Sequence, residues 1–137
     1  MAKRIISLRN NEALIKIEGA AGANTIDLDV DLLGAWEVLD GATQTVNIVG
    51  ITWTTTTGTA TIVRNGVTIA TCAGPTGSLT PNAGFHMDNG GNTNDIVITT
   101  AAAEVQIWIK VHKVGGYKTK IQPEQYGSYD DPTSATA

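Results

Sequence analysis

Thr59-Ala60-Thr61-Ile62-Val63-Arg64-Asn65-Gly66-Val67-Thr68-Ile69-Ala70-Thr71-Cys72 is the stretch that decides the fold. Two runs rich in β-branched residues flank an Asn-Gly pair. Asn and Gly tolerate the two positive φ angles of a type I′ turn, whose twist suits a two-residue hairpin. The sequence predicts antiparallel strands over 59–64 and 67–72. Arg64 is expected opposite Val67, and Ile62 opposite Ile69.

The neighbouring segments carry the same period. Residues 43–56 read as one long strand. Its inward parity shifts between Ile48 and Ile51, so a β-bulge is expected at Val49-Gly50. Residues 74–84 hold Gly74-Pro75, Gly77 and Pro81-Asn82, and are expected as loop. Phe85-His86-Met87 suggests a short strand before the Asn89-Gly90-Gly91-Asn92 turn, and 95–99 another strand. Residues 104–114 alternate most clearly. Val105, Ile107, Ile109 and Val111 are expected inside, with Gln106, Trp108, Lys110 and His112 on the opposite face.

Toward the N-terminus, residues 13–18 alternate, with Ala13, Ile15 and Ile17 on one face and Lys16 and Glu18 on the other, a half-buried strand. Residues 25–30 are expected as a second strand. It would bury Ile26, Leu28 and Val30, and line Asp27, Asp29 and Asp31 along the outer face. A linear row of carboxylates does not wrap an ion, so a solvated face is preferred to a metal site. Leu32, Leu33, Trp36 and Leu39 fit either a short helical turn or an irregular crossover, because Gly34 weakens a helix by roughly 1 kcal/mol.

Composition agrees with sheet. The chain has 137 residues, 42% hydrophobic and 16% charged, enough for one domain with a core. Twenty threonines suit a pleated, water-facing surface, and fifteen glycines supply turns. The expectation is one all-β domain: an antiparallel β-sandwich or jelly roll over 13–117. An extended N-terminal arm, 1–12, and a C-terminal tail, 118–137, flank it. The tail is nearly free of aliphatic residues, and alone it lacks the apolar surface to fold.

Charge and motifs narrow the function. The net charge of −4 argues against nucleic-acid binding, which needs a basic stripe. Lys3, Arg4, Arg9 and the later Lys110, Lys113, Lys118, Lys120 form basic clusters without a nucleic-acid motif. The long uncharged runs 41–63 and 65–87 are too rich in Thr, Asn, Gly and Pro to cross a bilayer as helices. No signal peptide is legible, so synthesis in a cytoplasm without an obvious export route is expected. Cys72 is the single cysteine and is read as a small buried hydrophobe.

Residues 90–98 resemble one copy of a calcium-binding β-roll nonapeptide. Thr93 replaces a glycine there, and the stacked repeats that complete such a site are missing. His86 and His112 lack metal-ligand spacing. Asp88 and Asp95 flank one loop without further support for a glycosidase pair. No phosphate loop, nucleophile elbow or dinucleotide fingerprint occurs. No catalytic residue, cofactor or metal is expected.

The aromatic residues remain. Trp108 falls on the polar face of its strand, where it serves as a partner anchor or a sugar platform unless another sheet covers it. Tyr117, Tyr126 and Tyr129 lie in or near the tail, placed to anchor it on a neighbour.

A resemblance follows from these stretches. Ile15-Lys16-Ile17-Glu18-Gly19, Thr25-Ile26-Asp27-Leu28, Ile51-Thr52-Trp53, Ile62-Val63-Arg64-Asn65-Gly66 and the ending 105–117 look like small virion structural proteins of tailed bacteriophages. The likeness spans most of 13–117 and rests on general β-signals. It implies a capsid decoration, or cement, protein on the capsid surface, with a tail or neck component as the lesser option. It further implies the major capsid protein as partner and a homo-oligomer, with a trimer favoured. Partner contacts are then expected at Lys3, Arg4, Arg9, Trp108, Tyr117, Tyr126 and Tyr129, with no nucleic acid and no membrane. A carbohydrate-binding module is the rival class.

Overall fold

The computed structural model describes residues 2–56, 58–80, 93–101 and 104–120. All regular structure among them is strand: β1 Ala2–Leu8, β2 Glu12–Gly19, β3 Gly22–Ile26, β4 Glu37–Leu39, β5 Thr45–Thr55, β6 Thr59–Arg64, β7 Val67–Ala73, β8 Thr76–Leu79, β9 Ile96–Thr100, β10 Val105–Gly115 and β11 Tyr117–Thr119. A five-stranded sheet runs β1-β2-β10-β5-β8 and a four-stranded one β3-β9-β6-β7, with a β11-β4 ribbon beside them. Every pairing is antiparallel.

The inward residues of both large sheets form one core, as in a β-sandwich. Ala13, Ile15, Ile17, Val46, Ile48, Ile51, Val105, Ile107, Ile109 and Val111 come from the first sheet. Ile26, Ala60, Ile62, Ala70, Cys72, Ile96 and Ile98 come from the second. Each buried Ile removes enough apolar surface to contribute about 1.5–3 kcal/mol before entropy is counted.

The hairpin forms as its sequence dictates. Asn65 and Gly66 take φ of 53° and 73°, and Arg64 pairs with Val67. Its register then differs from expectation. Val63 pairs with Thr68 and Ile62 with Ala70, so Ile69 is an inserted residue. Without that bulge, Thr71 would face the core and Cys72 the solvent. With it, Ala70 and Cys72 are buried and Thr71 is exposed. The bulge in β5 lies where the parity requires it. Lys110 pairs with Gly50 and Val111 with Ile48, and Val49 is the extra residue.

Several expectations are corrected. Residues 2–8 are not a free arm. They form β1, paired with β2 from Ala2↔Glu18 to Leu8↔Ala13, and Ile5 and Leu8 pack on the core. Their basic side chains masked that alternation. The strand expected over 25–30 stops at Ile26. The Asp27 carbonyl accepts the N–H groups of Val30 (3.3 Å) and Asp31 (2.8 Å), so a turn follows and Val30 is exposed. The aspartates therefore form no row. Residues 32–36 are irregular chain and turn leading into β4, within the two forms expected for this segment.

Residues 76–79 are strand, not loop. β8 is an edge strand on β5, a position that tolerates nearby proline. The Pro75 carbonyl accepts the Thr55 N–H at 2.8 Å. The ordered body extends past 117, because β11 pairs with β4 as far as Thr119↔Glu37. The expectations for Phe85, His86, Met87, Asp88 and the Asn89–Asn92 turn, and for Tyr126 and Tyr129, lie outside the described residues.

Candidate binding face on the five-stranded sheet

Residues directly opposite one another in antiparallel strands share a face. The register therefore builds the outer face of the five-stranded sheet row by row. One row crosses all five strands: Arg4, Lys16, Trp108, Thr52, Ser78. The next, toward the β1–β2 turn, is Ser7, Leu14, Lys110, Gly50. On the other side stand Ala2, Glu18, Gln106, Thr54 and Thr76.

Trp108 is the one large aromatic side chain in these rows. It is half-buried, and the Lys16 ammonium lies 5.2 Å from its ring centroid, a cation–π contact. Gly50 has no side chain to fill its place in the adjacent row. A shallow depression of about 400 Å³ results, bordered by Leu14, Thr52, Thr80, Trp108 and Lys110. A second hollow, at Ser7, Arg9, Glu12 and Ala13, shares Leu14 and Lys110 with it. Together they form a groove from the β1–β2 turn to Trp108.

The groove has a basic rim. Arg4 and Lys110 are exposed, Lys16 is half-buried, and the Arg9 side chain is 70% exposed at the turn. Glu12 lies 3.8 Å from Arg9 and 3.9 Å from Lys110, and Glu18 lies 3.4 Å from Lys16. Such solvent-exposed pairs contribute roughly 0–1 kcal/mol, so they leave the cations open to a competing anion.

The other expected contact residues are placed differently. Lys3 is engaged within the chain. Its ammonium donates to Asp31 Oδ2 (2.6 Å) and the Thr25 carbonyl (2.7 Å), tying β1 to the turn after β3. Tyr117 is half-buried, and its hydroxyl donates to the Leu28 carbonyl. The Lys113 ammonium sits 4.4 Å from its ring. Burial, then the charges of Glu37 and Asp29, push the Tyr117 phenol well above its ordinary range. Tyr117 therefore docks the β11-β4 ribbon on its own sandwich and is not an outward anchor.

Sequence reasoning missed the buried charges. Lys113 and Glu37 form an ion pair of 2.5 Å with side chains 0% and 2% exposed. Lys113 also donates to the Arg9 carbonyl (3.1 Å), and Glu37 accepts the Gly34 N–H (2.9 Å). Arg64 is 1% exposed and donates to the carbonyls of Asn94 (2.7 Å) and Val46 (2.5 Å). Parity was the available signal. Lys113 continues the phase of Val105 to Val111, and Arg64 that of Ala60 and Ile62.

Two further groups have displaced titrations. A hydrogen bond with Asp29, then burial, then the charge of Asp95 raise the Asp27 carboxyl above its ordinary 3.8. Burial pushes the Cys72 thiol up to about 11. A thiol with so little thiolate at neutral pH, and fully buried, is a packing group.

No group of three or more His, Cys, Asp or Glu placed to hold a metal occurs among the described residues, and no helix there is long and apolar enough to cross a membrane. No protein-family model matches the chain, and no curated protein matches it.

Proposed function

We propose that this chain is a structural virion protein of a tailed bacteriophage. It binds the outside of the capsid as a decoration protein, with the major capsid protein as partner. The observation that carries this reading is the Arg4-Lys16-Trp108 row on the outer face of the five-stranded sheet. An aromatic anchor ringed by cations has the composition of an interface centre, and Arg and Trp are the residues most enriched at binding hot spots. A shallow depression on an open sheet face also suits a broad protein surface better than a small substrate. The resemblance to virion proteins supplies the partner class. Repetition on a symmetric shell multiplies a weak contact, and a homotrimer would engage several sites at once.

In this reading the contacts move from the termini to the sheet. Arg4, Lys16, Trp108, Lys110 and Arg9 face the capsid, while Lys3 and Tyr117 hold the fold. Co-sedimentation with capsids of the encoding phage tests it: the wild-type chain pellets with them, and Trp108→Ala does not. Binding unchanged by Trp108→Ala and by Arg4→Glu would overturn the assignment of this face.

A carbohydrate-binding module remains the second reading, because Trp108 borders a depression that also presents Thr52 and Thr80. A glycan array separates the two. Sugar binding abolished by Trp108→Ala, with no capsid association, would favour the module.

A further inference from the structure

We infer that the groove on the five-stranded sheet takes an extended, acidic segment of the partner protein, with carboxylates at every second residue. This rests on the reading of that face as a partner surface and names what the partner presents to it. Unused donors are the first observation. The chain has three tryptophans. The Trp36 indole N–H donates to Asn10, and that of Trp53 to the Ala73 carbonyl (2.8 Å), both within the fold. Among the described residues, the Trp108 indole N–H has no acceptor. The exposed Arg4 guanidinium on the same row has neither an acceptor nor an ion pair among them. Arg4, Lys16 and Trp108 can only donate, so their complement is a set of acceptors.

Charge is the second. The face and its turn carry Arg4, Arg9, Lys16 and Lys110 against Glu12 and Glu18, on a chain whose net charge is −4. The cations are concentrated here, and the remainder of the chain is more acidic than its total. A long polyanion such as nucleic acid would overrun the patch onto that acidic remainder. A short acidic segment would not. The methylene stems of its side chains would also cover the apolar surface of Trp108 and Leu14.

Spacing is the third. Residues two apart on a strand are about 6.8 Å apart, at roughly 3.4 Å per residue. The Lys16-Trp108 row and the Leu14-Lys110 row are one such step apart along the groove. An extended segment lying along β2 and β10 repeats its side chains on one face with the same step. Carboxylates at alternate residues then meet Arg4, Lys16 and Trp108 at one row and Lys110 at the next, with Arg9 at the turn beyond. Gly50 carries no side chain, which leaves the floor of the depression open to the backbone of the segment.

The test titrates the full 137-residue chain with a capped Glu-Thr-Glu-Thr-Glu-Thr peptide and follows the indole N–H signals by nuclear magnetic resonance. The expected result is a saturable shift of the Trp108 signal, with those of Trp36 and Trp53 unmoved. The Gln-Thr-Gln-Thr-Gln-Thr peptide should give no shift, and Glu-Glu-Glu-Thr-Thr-Thr should bind more weakly. Arg4→Glu should weaken the binding about tenfold or more, and 1 M salt, where the Debye length is about 3 Å, should abolish it. Gly50→Ala should weaken it severalfold by filling the floor. Both variants should fold, since Arg4 is exposed and a Cβ at Gly50 would come no closer than 3.8 Å to its neighbours. No shift of Trp108, or an equal shift with the Gln peptide, would overturn the inference. Equal affinity for the clustered-Glu peptide would overturn the alternate spacing. Tighter binding of a single-stranded oligonucleotide or of anionic lipid vesicles would overturn the acidic segment as the ligand class. Peptide binding without capsid co-sedimentation would remove the capsid reading and leave this one standing, and capsid co-sedimentation without peptide binding would do the reverse.

Discussion

The Lys113 ammonium lies 2.5 Å from Glu37 Oε1, with both side chains out of water. This pair joins the long central strand β10 to the short strand β4, which has few apolar contacts of its own. A buried pair gains little over a hydrophobic replacement, but a single deletion strands a charge, at a cost of about 3–5 kcal/mol. Lys113→Met is expected to lose that much stability in urea unfolding. Lys113→Met with Glu37→Gln should recover most of it, since Gln is neutral and still accepts the Gly34 N–H. Equal losses in the single and double variants would contradict this role.

Asp27 responds to pH in the opposite sense from most paired carboxylates. Its carboxyl is raised above 3.8, with the Asp29 hydrogen bond as the first cause. The folded state therefore holds the proton more tightly than the unfolded one. That contribution is present below pH 3.8 and is lost as pH rises through the folded value. Asp27→Asn is expected to stabilise the protein at pH 7 relative to wild type, with little or reversed effect near pH 3. Thermal melts at the two pH values check the sign.

Cys72 should be silent in the native state. It is fully buried and its thiol is pushed up to about 11. An aromatic disulfide reagent is expected to react only as fast as the chain opens, and at the normal thiol rate in denaturant. Rapid native-state reaction would show that the bulge at Ile69 does not hold Cys72 inside.

Gly77 marks the strand that the sequence hid. A Cβ there would lie 2.4 Å from the Trp53 ring, whose indole N–H donates to the Ala73 carbonyl at 2.8 Å. Gly77→Ala should displace that ring and destabilise the fold by about 1–3 kcal/mol, the usual range for overpacking. Trp53 fluorescence should change along with it. Unchanged stability would mean that β8 moves away without cost.

These contrasts separate what the chain states locally from what it states only in three dimensions. The Asn65-Gly66 turn, the β5 bulge and the inward face of β10 are legible because each depends on neighbours within a few residues. The Ile69 bulge is not, since it is set by which of Thr71 and Cys72 packs better against the opposite sheet. β1 was obscured by Lys3, Arg4 and Arg9, whose charges read as an arm although Ile5 and Leu8 face the core. Half of the candidate site was legible. Parity placed Trp108 and Lys110 on one face. Only cross-strand register brings Arg4 and Lys16 beside Trp108, and register between distant strands is not written in either one.

The central claim is that the Arg4-Lys16-Trp108 face binds a phage capsid. The most direct measurement is a quantitative co-sedimentation isotherm with capsids of the encoding phage, comparing wild type and Trp108→Ala at matched circular dichroism. The account predicts saturable wild-type binding and about tenfold or greater weakening by Trp108→Ala, as for an interface anchor. Absence of wild-type binding, or identical isotherms for the two proteins, would contradict it.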